Sequence, residues 1–304
     1  MGIFSALFGG GGKKNDGGST SKALKNVKRV NIAKRFELSG RTGQGSMSKV
    51  YRAYDRDLGR NVCLKILDKE KTKRFEERFK GLKKPSEGEI CMAIKHENIV
   101  RTFEFGMSTT GDPFLVMEWV EGHGLNFLIE NKSKQLDGNR INYMSQLCNA
   151  VQYLHDTGYY HRDLCPRNVM VDNEGVLKLI DFGLTIPSTP PFRAPGNRTG
   201  TPDYLPPELV MRRETDHRVD LYALGITGYE VFAGGLPWER TMSSEENFRR
   251  RLNAPPRTPQ ELNPKLHDDV AKFLLKAISR DRNDRFSSAA RMREMMEKFD
   301  KQDY

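Results

Sequence analysis

Apolar residues alternate with polar ones in segments between Phe36 and Val120, whereas beyond Ile141 they recur every third and fourth position. Period two marks half-buried strands and period 3.6 marks helices, so a small strand-rich part precedes a larger helical one. Phe36-Glu37-Leu38-Ser39-Gly40 runs into a glycine-rich turn, Lys49–Tyr54 alternates, and Asn61–Leu67 reads as the next strand. Phe114–Val120 is a buried strand that stops before Gly122. The charged stretch from Lys69 to Lys95 reads as helix, broken or restarted at Pro85. Ile141, Met144, Leu147, Cys148, Val151 and Leu154 form one helical face, a pattern repeated by Val270, Phe273, Leu274 and Ala277, and by Met292, Met295 and Phe299. The layout is α+β, with a cleft between lobes as the expected ligand site.

Composition narrows the function. The 304 residues carry 50 basic and 40 acidic side chains, a net charge of +10. Residues 1–42 hold nine of the basic side chains and two of the acidic ones, so seven of those ten charges sit near the N-terminus. A nucleic-acid-binding core would concentrate them in the folded part, and no nucleic-acid partner is expected. Residues 1–35, with the glycine run Gly9–Gly12 and Gly17-Gly18-Ser19-Thr20-Ser21, read as a flexible Gly/Lys-rich leader. Gly2 suits N-myristoylation, but Ala6 stands where that signal wants Ser or Thr, so peripheral membrane contact through the leader is the lesser reading. No apolar run approaches the ~20 residues that span a bilayer. Cys63, Cys91, Cys148 and Cys165 lie far apart without zinc spacing, as expected of reduced thiols in a cytoplasmic protein.

The chemistry lies in motifs. The turn Gly43-Gln44-Gly45-Ser46-Met47-Ser48 is followed by a strand, not by the helix of a dinucleotide fold, and no Gly-Lys-Ser/Thr closes it as in a Walker loop. Lys65 comes at the end of the next strand. Downstream are Tyr160-His161-Arg162-Asp163-Leu164-Cys165-Pro166-Arg167-Asn168, Ile180-Asp181-Phe182-Gly183, Gly200-Thr201-Pro202-Asp203-Tyr204-Leu205-Pro206-Pro207-Glu208 and Asp220–Gly225. Each alone is weak; their order and separation are not.

Together they resemble the eukaryotic-type (Hanks-type) serine/threonine protein kinases over about 36–299, leaving 300–304 as a tail. The resemblance implies a bilobal fold: a small β-rich lobe with one main helix (36–117), a hinge (118–122) and a larger helical lobe (123–299). It implies ATP and Mg²⁺ (or Mn²⁺) as cofactors and proteins as substrates. Gly43, Gln44, Gly45, Ser46 and Ser48 would cover the phosphates, and Lys65 would grip them. Nine places before His96 the family's helical glutamate falls on Glu87, with Glu89 as rival. Asp163 would be the catalytic base, Asn168 and Asp181 the metal ligands, and Thr201 the docking threonine that bonds Asp163. Val50 and Cys63 would roof the adenine and Met170 floor it, with Met117 as gatekeeper and Glu118 and Val120 supplying hinge hydrogen bonds. His161 would pack, and Arg162 would bridge to the activation loop, whose candidate phosphosites are Thr199, Ser188 and Thr189.

Three departures stand out. Ser48 replaces the third glycine of the turn, and Pro206 replaces the alanine before Pro207-Glu208, where Glu208 can still pair with Arg285. Cys165 stands where serine/threonine kinases put a lysine that meets the γ-phosphate. Arg167, four residues after Asp163, sits where some tyrosine kinases carry an arginine and is expected to supply the missing charge. Alternatives are a nucleotide-binding pseudokinase scaffold, a dual-specificity or tyrosine kinase, and a small-molecule kinase. The Gly200–Glu208 segment argues for protein serine and threonine.

Overall fold

The computed structural model describes residues 29–44, 48–196 and 198–299. The small lobe is a curled six-stranded sheet. Its strands are β1 (Arg29–Val30), β2 (Phe36–Gln44), β3 (Ser48–Asp55), β4 (Arg60–Leu67), β5 (Thr102–Ser108) and β6 (Pro113–Glu118), in the order β1-β5-β6-β4-β3-β2. Every pairing is antiparallel except β1 with β5. Alternation does what period two requires: Ala53, Val62, Leu64, Phe114 and Val116 bury on one face with Phe36. The β3–β4 ladder sets Val50 opposite Lys65, and the β2–β3 ladder sets Gly43 opposite Val50.

The expected leader boundary at residue 35 needs correction. Arg29 and Val30 pair in parallel with Met107 and Ser108, and α1 (Ile32–Arg35) follows. Arg35 then forks onto Asp55 at 2.9 Å and onto Glu104 at 2.7 Å. Asp55 is fully buried; burial works against its charge, but the bonds from Arg35 hold the carboxyl below its ordinary range. A two-residue strand in a basic stretch has no periodicity to read. Residues 1–28 lie outside the described residues.

The charged stretch before Lys95 is two helices. Asp68 accepts from the amides of Glu70 and Lys71 to start α2 (Lys69–Glu76), which tightens into a 3₁₀ turn at Glu77–Phe79. Beyond Pro85, Ser86 starts α3 (Glu87–Ala93). Phe75 and Phe79 stay out of the small-lobe sheet core and bury with Tyr160, Ile186 and Phe192 of the large lobe. The Phe75–Phe79 and Phe79–Phe192 ring centroids are 5.4 and 5.5 Å apart.

The chain crosses to the large lobe through β7 (Gly122–Gly124), α4 (Leu125–Glu130) and α5 (Arg140–Asp156). Then come β8 (Tyr159–Tyr160), β9 (Val169–Asp172), β10 (Leu177–Leu179), β11 (Ile186–Pro187), α6 (Pro190–Arg193) and α7 (Pro207–Val210). α8 (Arg218–Ala233) is the buried central helix, with α9 (Ser244–Asn253), α10 (Asp268–Ala277) and α11 (Ala289–Met296) around it. Met144, Leu147, Cys148, Val151 and Leu154 of α5 face the core as their spacing requires, and so do Val270, Phe273, Leu274 and Ala277 of α10. Among the described residues no helix is long and apolar enough to cross a membrane.

Candidate active site

Two groups of polar side chains face each other across the cleft. On the small lobe, the antiparallel pairing of β4 with β3 and β6 fixes Lys65. Its ammonium lies 2.6 Å from Glu87 Oε1 and 2.9 Å from Asp181 Oδ1. Glu87 opens α3 because Ser86 caps it, and the capping box consumes the rival: Glu89 Oε2 accepts from the amide and hydroxyl of Ser86. Gly88 lets α3 lie close to β5, where a Cβ would stand 2.5 Å from the Phe105 ring.

Burial opposes the Lys65 ammonium, yet Asp181 and Glu87 outweigh it and raise its pKa above the lysine norm. Burial raises the Glu87 carboxyl against the pull of Lys65. Asp181 is held below the usual carboxylate range: burial would raise it, but Lys65 and the Gly183 amide, which donates at 3.0 Å, prevail. Lysine therefore stays charged throughout the neutral range.

On the large lobe, Asp163 follows β8 and is gripped from two directions. Its Oδ1 accepts from the Thr201 amide and hydroxyl, each at 2.7 Å, and its Oδ2 accepts from Asn168 Nδ2 at 3.1 Å. Burial nevertheless raises its pKa despite Thr201. Gly200 makes this approach feasible: its φ of +128° suits glycine, and a Cβ there would meet the Arg162 carbonyl at 2.7 Å. Beneath, Asp220 of α8 accepts from the amides of His161 and Arg162, each at 2.9 Å, and bonds the His155 ring. His161 is buried against Phe182, with centroids 5.1 Å apart. Arg162 donates to the Thr215 hydroxyl at 3.1 Å. Glu208 and Arg285 form the expected buried fork, at 2.8 and 2.9 Å.

The remaining sequence-derived positions fall as follows. Ser48 is buried and lines the cleft with Lys65, Glu87, Asp163 and Asp181. Gly43 and Gln44 pair with Val50 and Lys49, while Gly45 and Ser46 lie outside the described residues. Cys63 is paired with Met117 across the β4–β6 ladder, and both pack with Val120 in the main core. Val50 and Met170 are half-buried, and Glu118 pairs with Lys178 at 3.2 Å. Cys165 is buried with its sulfur 3.8 Å from the Thr201 hydroxyl; burial and the Asp163 charge push its pKa up, so it remains a thiol. Arg167 is exposed beside it. Ser188 is tied to the Gly158 carbonyl, Thr189 is exposed at the start of α6, and Thr199 is half-buried. The cleft also has walls that motif reading missed: Thr72, Phe75, Glu76 and Lys84. Thr72, Phe75 and Glu76 share one face of α2 by their spacing, but nothing in the spacing says where that face docks.

Oxygen donors decide what cation fits. Asn168 gives its amide hydrogens to Asp163, leaving its carbonyl oxygen, and Asp181 presents a carboxylate. Among the described residues no three His, Cys, Asp or Glu side chains gather as a metal site. Two hard oxygen donors suit a hard divalent cation.

The protein kinase domain model matches residues 36–298. The chain belongs to the protein kinase family. Among its relatives, the probable serine/threonine-protein kinase PknB of Corynebacterium glutamicum is 32% identical over 86% of this chain and 41% of its own. Serine/threonine-protein kinase pkn3 of Myxococcus xanthus is 29% identical over 89% of this chain and 51% of its own. An Aurora kinase of Saccharomyces cerevisiae is 29% identical over 82% and 65%. The kinase chain described here thus spans about half the length of the bacterial relatives it matches, or less.

Proposed function

We propose that this chain transfers the γ-phosphoryl group of ATP to serine and threonine hydroxyls of proteins, including its own, with Mg²⁺ bound at Asn168 and Asp181. The observation that carries the reading is the fixed pairing of Asp163 with Thr201 and Asn168, in the same cleft as the Lys65–Glu87–Asp181 cluster. Phosphoryl transfer is mostly positioning and charge neutralisation. Lys65, held by Glu87, draws the ATP phosphates into register, and its contact with Asp181 yields as they arrive. The metal supplies electrostatic stabilisation of the phosphates. Asp163 accepts the proton of the incoming hydroxyl; its raised pKa makes it the stronger base, and Thr201 fixes its orientation. The adenine roof is Val50 and Cys63, its floor Met170, with Met117 as gatekeeper and Glu118 and Val120 at the hinge. Four free thiols suit the reducing cytoplasm.

Incubation with γ-labelled ATP and a peptide array, followed by phosphoamino-acid analysis, tests the reading. Label on serine and threonine is the expected result; label on tyrosine alone, or nucleotide binding without transfer, overturns it. Tryptic mapping of the labelled chain is expected to find phosphate on Thr199, Ser188 or Thr189.

Two side chains adjust this scheme. Cys165, a neutral thiol, cannot neutralise the γ-phosphate, and Arg167 takes that part. Arg167→Ala is expected to lower kcat about a hundredfold, the cost of losing one donor to developing charge, with little change in KM for ATP. Steady-state kinetics read the split. Gly88→Val is expected to push α3 off β5 and draw Glu87 from Lys65, lowering kcat/KM for ATP at least tenfold. Its overpacking costs roughly 1–3 kcal/mol of stability, measured by urea denaturation.

A further inference from the structure

A second cavity lies beyond the Phe79–Phe192 contact and shares no wall with the cleft that holds Lys65 and Asp181. It encloses about 560 Å³, within the range of ligand sites. The small lobe contributes Arg78, Phe79 and Leu82; the activation segment contributes Phe192 and Arg198; Arg212 enters from the turn after α7. Among the described residues, three guanidinium groups and no carboxylate line it. Among the described residues none of the three is paired with a carboxylate. Arg198 rests on the Phe248 ring at 4.4 Å, Arg78 stands 6.0 Å from the Phe75 ring, and Arg212 reaches the Gly196 carbonyl at 3.4 Å. Like charges gathered round one concavity create a field that an anion relieves, and planar guanidinium forks match phosphate oxygens.

We propose that this cavity docks a phosphorylated segment of a partner polypeptide. The arginines take the phosphate, and the wall of Phe79, Leu82 and Phe192 takes an apolar side chain beside it. A free phosphate ion would leave that wall and most of the volume unused. The chain's own N-terminal 28 residues are a poor complement, with five lysines against one aspartate. Arg162 is not part of this cavity's lining; it donates instead to Thr215. Because Arg78 belongs to one lobe and Arg198 and Arg212 to the other, an occupant spans the seam between them. A kinase so equipped would prefer proteins that another kinase has already marked.

Binding, not turnover, tests this, so its outcome is separate from that of the catalytic reading. A fluorescein-labelled peptide with one phosphoserine after a leucine is titrated against the full chain and against its Asp163→Asn variant, which removes self-phosphorylation. Both are expected to bind it at least tenfold more tightly than the unphosphorylated peptide. The double variant Arg78→Glu/Arg212→Glu is expected to lose that preference, while its melting temperature stays at the parent's and its rate on an unphosphorylated substrate stays within twofold of the parent's. Equal affinity for the phosphorylated and plain peptides overturns the proposal. So does equal affinity for a Ser→Glu peptide, or for inorganic phosphate alone. Binding by the Asp163→Asn chain but not by the self-phosphorylated one would put the chain's own phosphate there and overturn the partner assignment.

Discussion

Asp163→Asn is expected to lower the rate of peptide phosphorylation about a thousandfold while leaving the protein folded. Asparagine keeps an oxygen for the Thr201 amide and hydroxyl. It loses the bond that Asn168 gives to Oδ2, but Asn168 keeps its bond to the backbone carbonyl of residue 163, so the loop holds, while the amide cannot accept a proton from a hydroxyl. Stability moves the other way. Asp163 is buried, and burial raises its pKa above that of the unfolded chain. The stability it contributes is therefore present below the ordinary carboxylate range and is lost as pH rises through the elevated value. At neutral pH the charged form is a burden that asparagine removes, so the melting temperature of the variant should not fall, and differential scanning calorimetry reads it. The same elevation sets the acid limb of the parent's kcat/KM profile, which is expected to lie above the usual aspartate pKa. A variant that transferred phosphate at the parent rate would remove Asp163 from the chemistry.

Arg285→Met is expected to cost about 3–5 kcal/mol of folding stability, the penalty for stranding one member of a buried ion pair. Arg285 is buried, forks onto Glu208, donates to the carbonyl of Ser279 at 2.8 Å and lies 4.8 Å from the Tyr222 ring. Without it the Glu208 carboxylate would face the core alone. Adding Glu208→Gln to Arg285→Met should return part of the loss, because the stranded charge goes with it; urea denaturation of the single and double variants measures the difference. Activity should fall together with stability, since Glu208 lies in the first turn of α7, shortly after the segment that carries Thr201.

What the sequence disclosed divides by the range of the forces involved. Strands β3 and β4, the α5 face and the α10 face could be read because neighbours a few residues apart share one environment. Lys65, Asp163, Asn168 and Asp181 could be read because their chemistry tolerates few substitutes. Glu87 and Glu89 were separable in principle: Ser86 three places before Glu89 is the signature of a capping box, which engages Glu89 and leaves Glu87 to Lys65. Arg29–Arg35 could not be read because a two-residue strand has no period and the partners of Arg35 lie 20 and 69 residues away, at Asp55 and Glu104. Phe75 and Phe79 were visible as an i, i+4 aromatic pair, but their reach across to Phe192 is set by how the lobes meet, which no local spacing encodes.

Asp220 draws one more line through the molecule. One carboxylate on the central helix suspends the backbone of the residues just before Asp163, and Asp163 in turn grips Thr201 and Asn168. Asp163, Thr201 and Asn168 are therefore joined by hydrogen bonds to one another and, through the backbone of His161 and Arg162, to α8. Lys65 and Glu87 ride on a different body. The 2.9 Å contact of Lys65 with Asp181 is where the two bodies meet in the cleft.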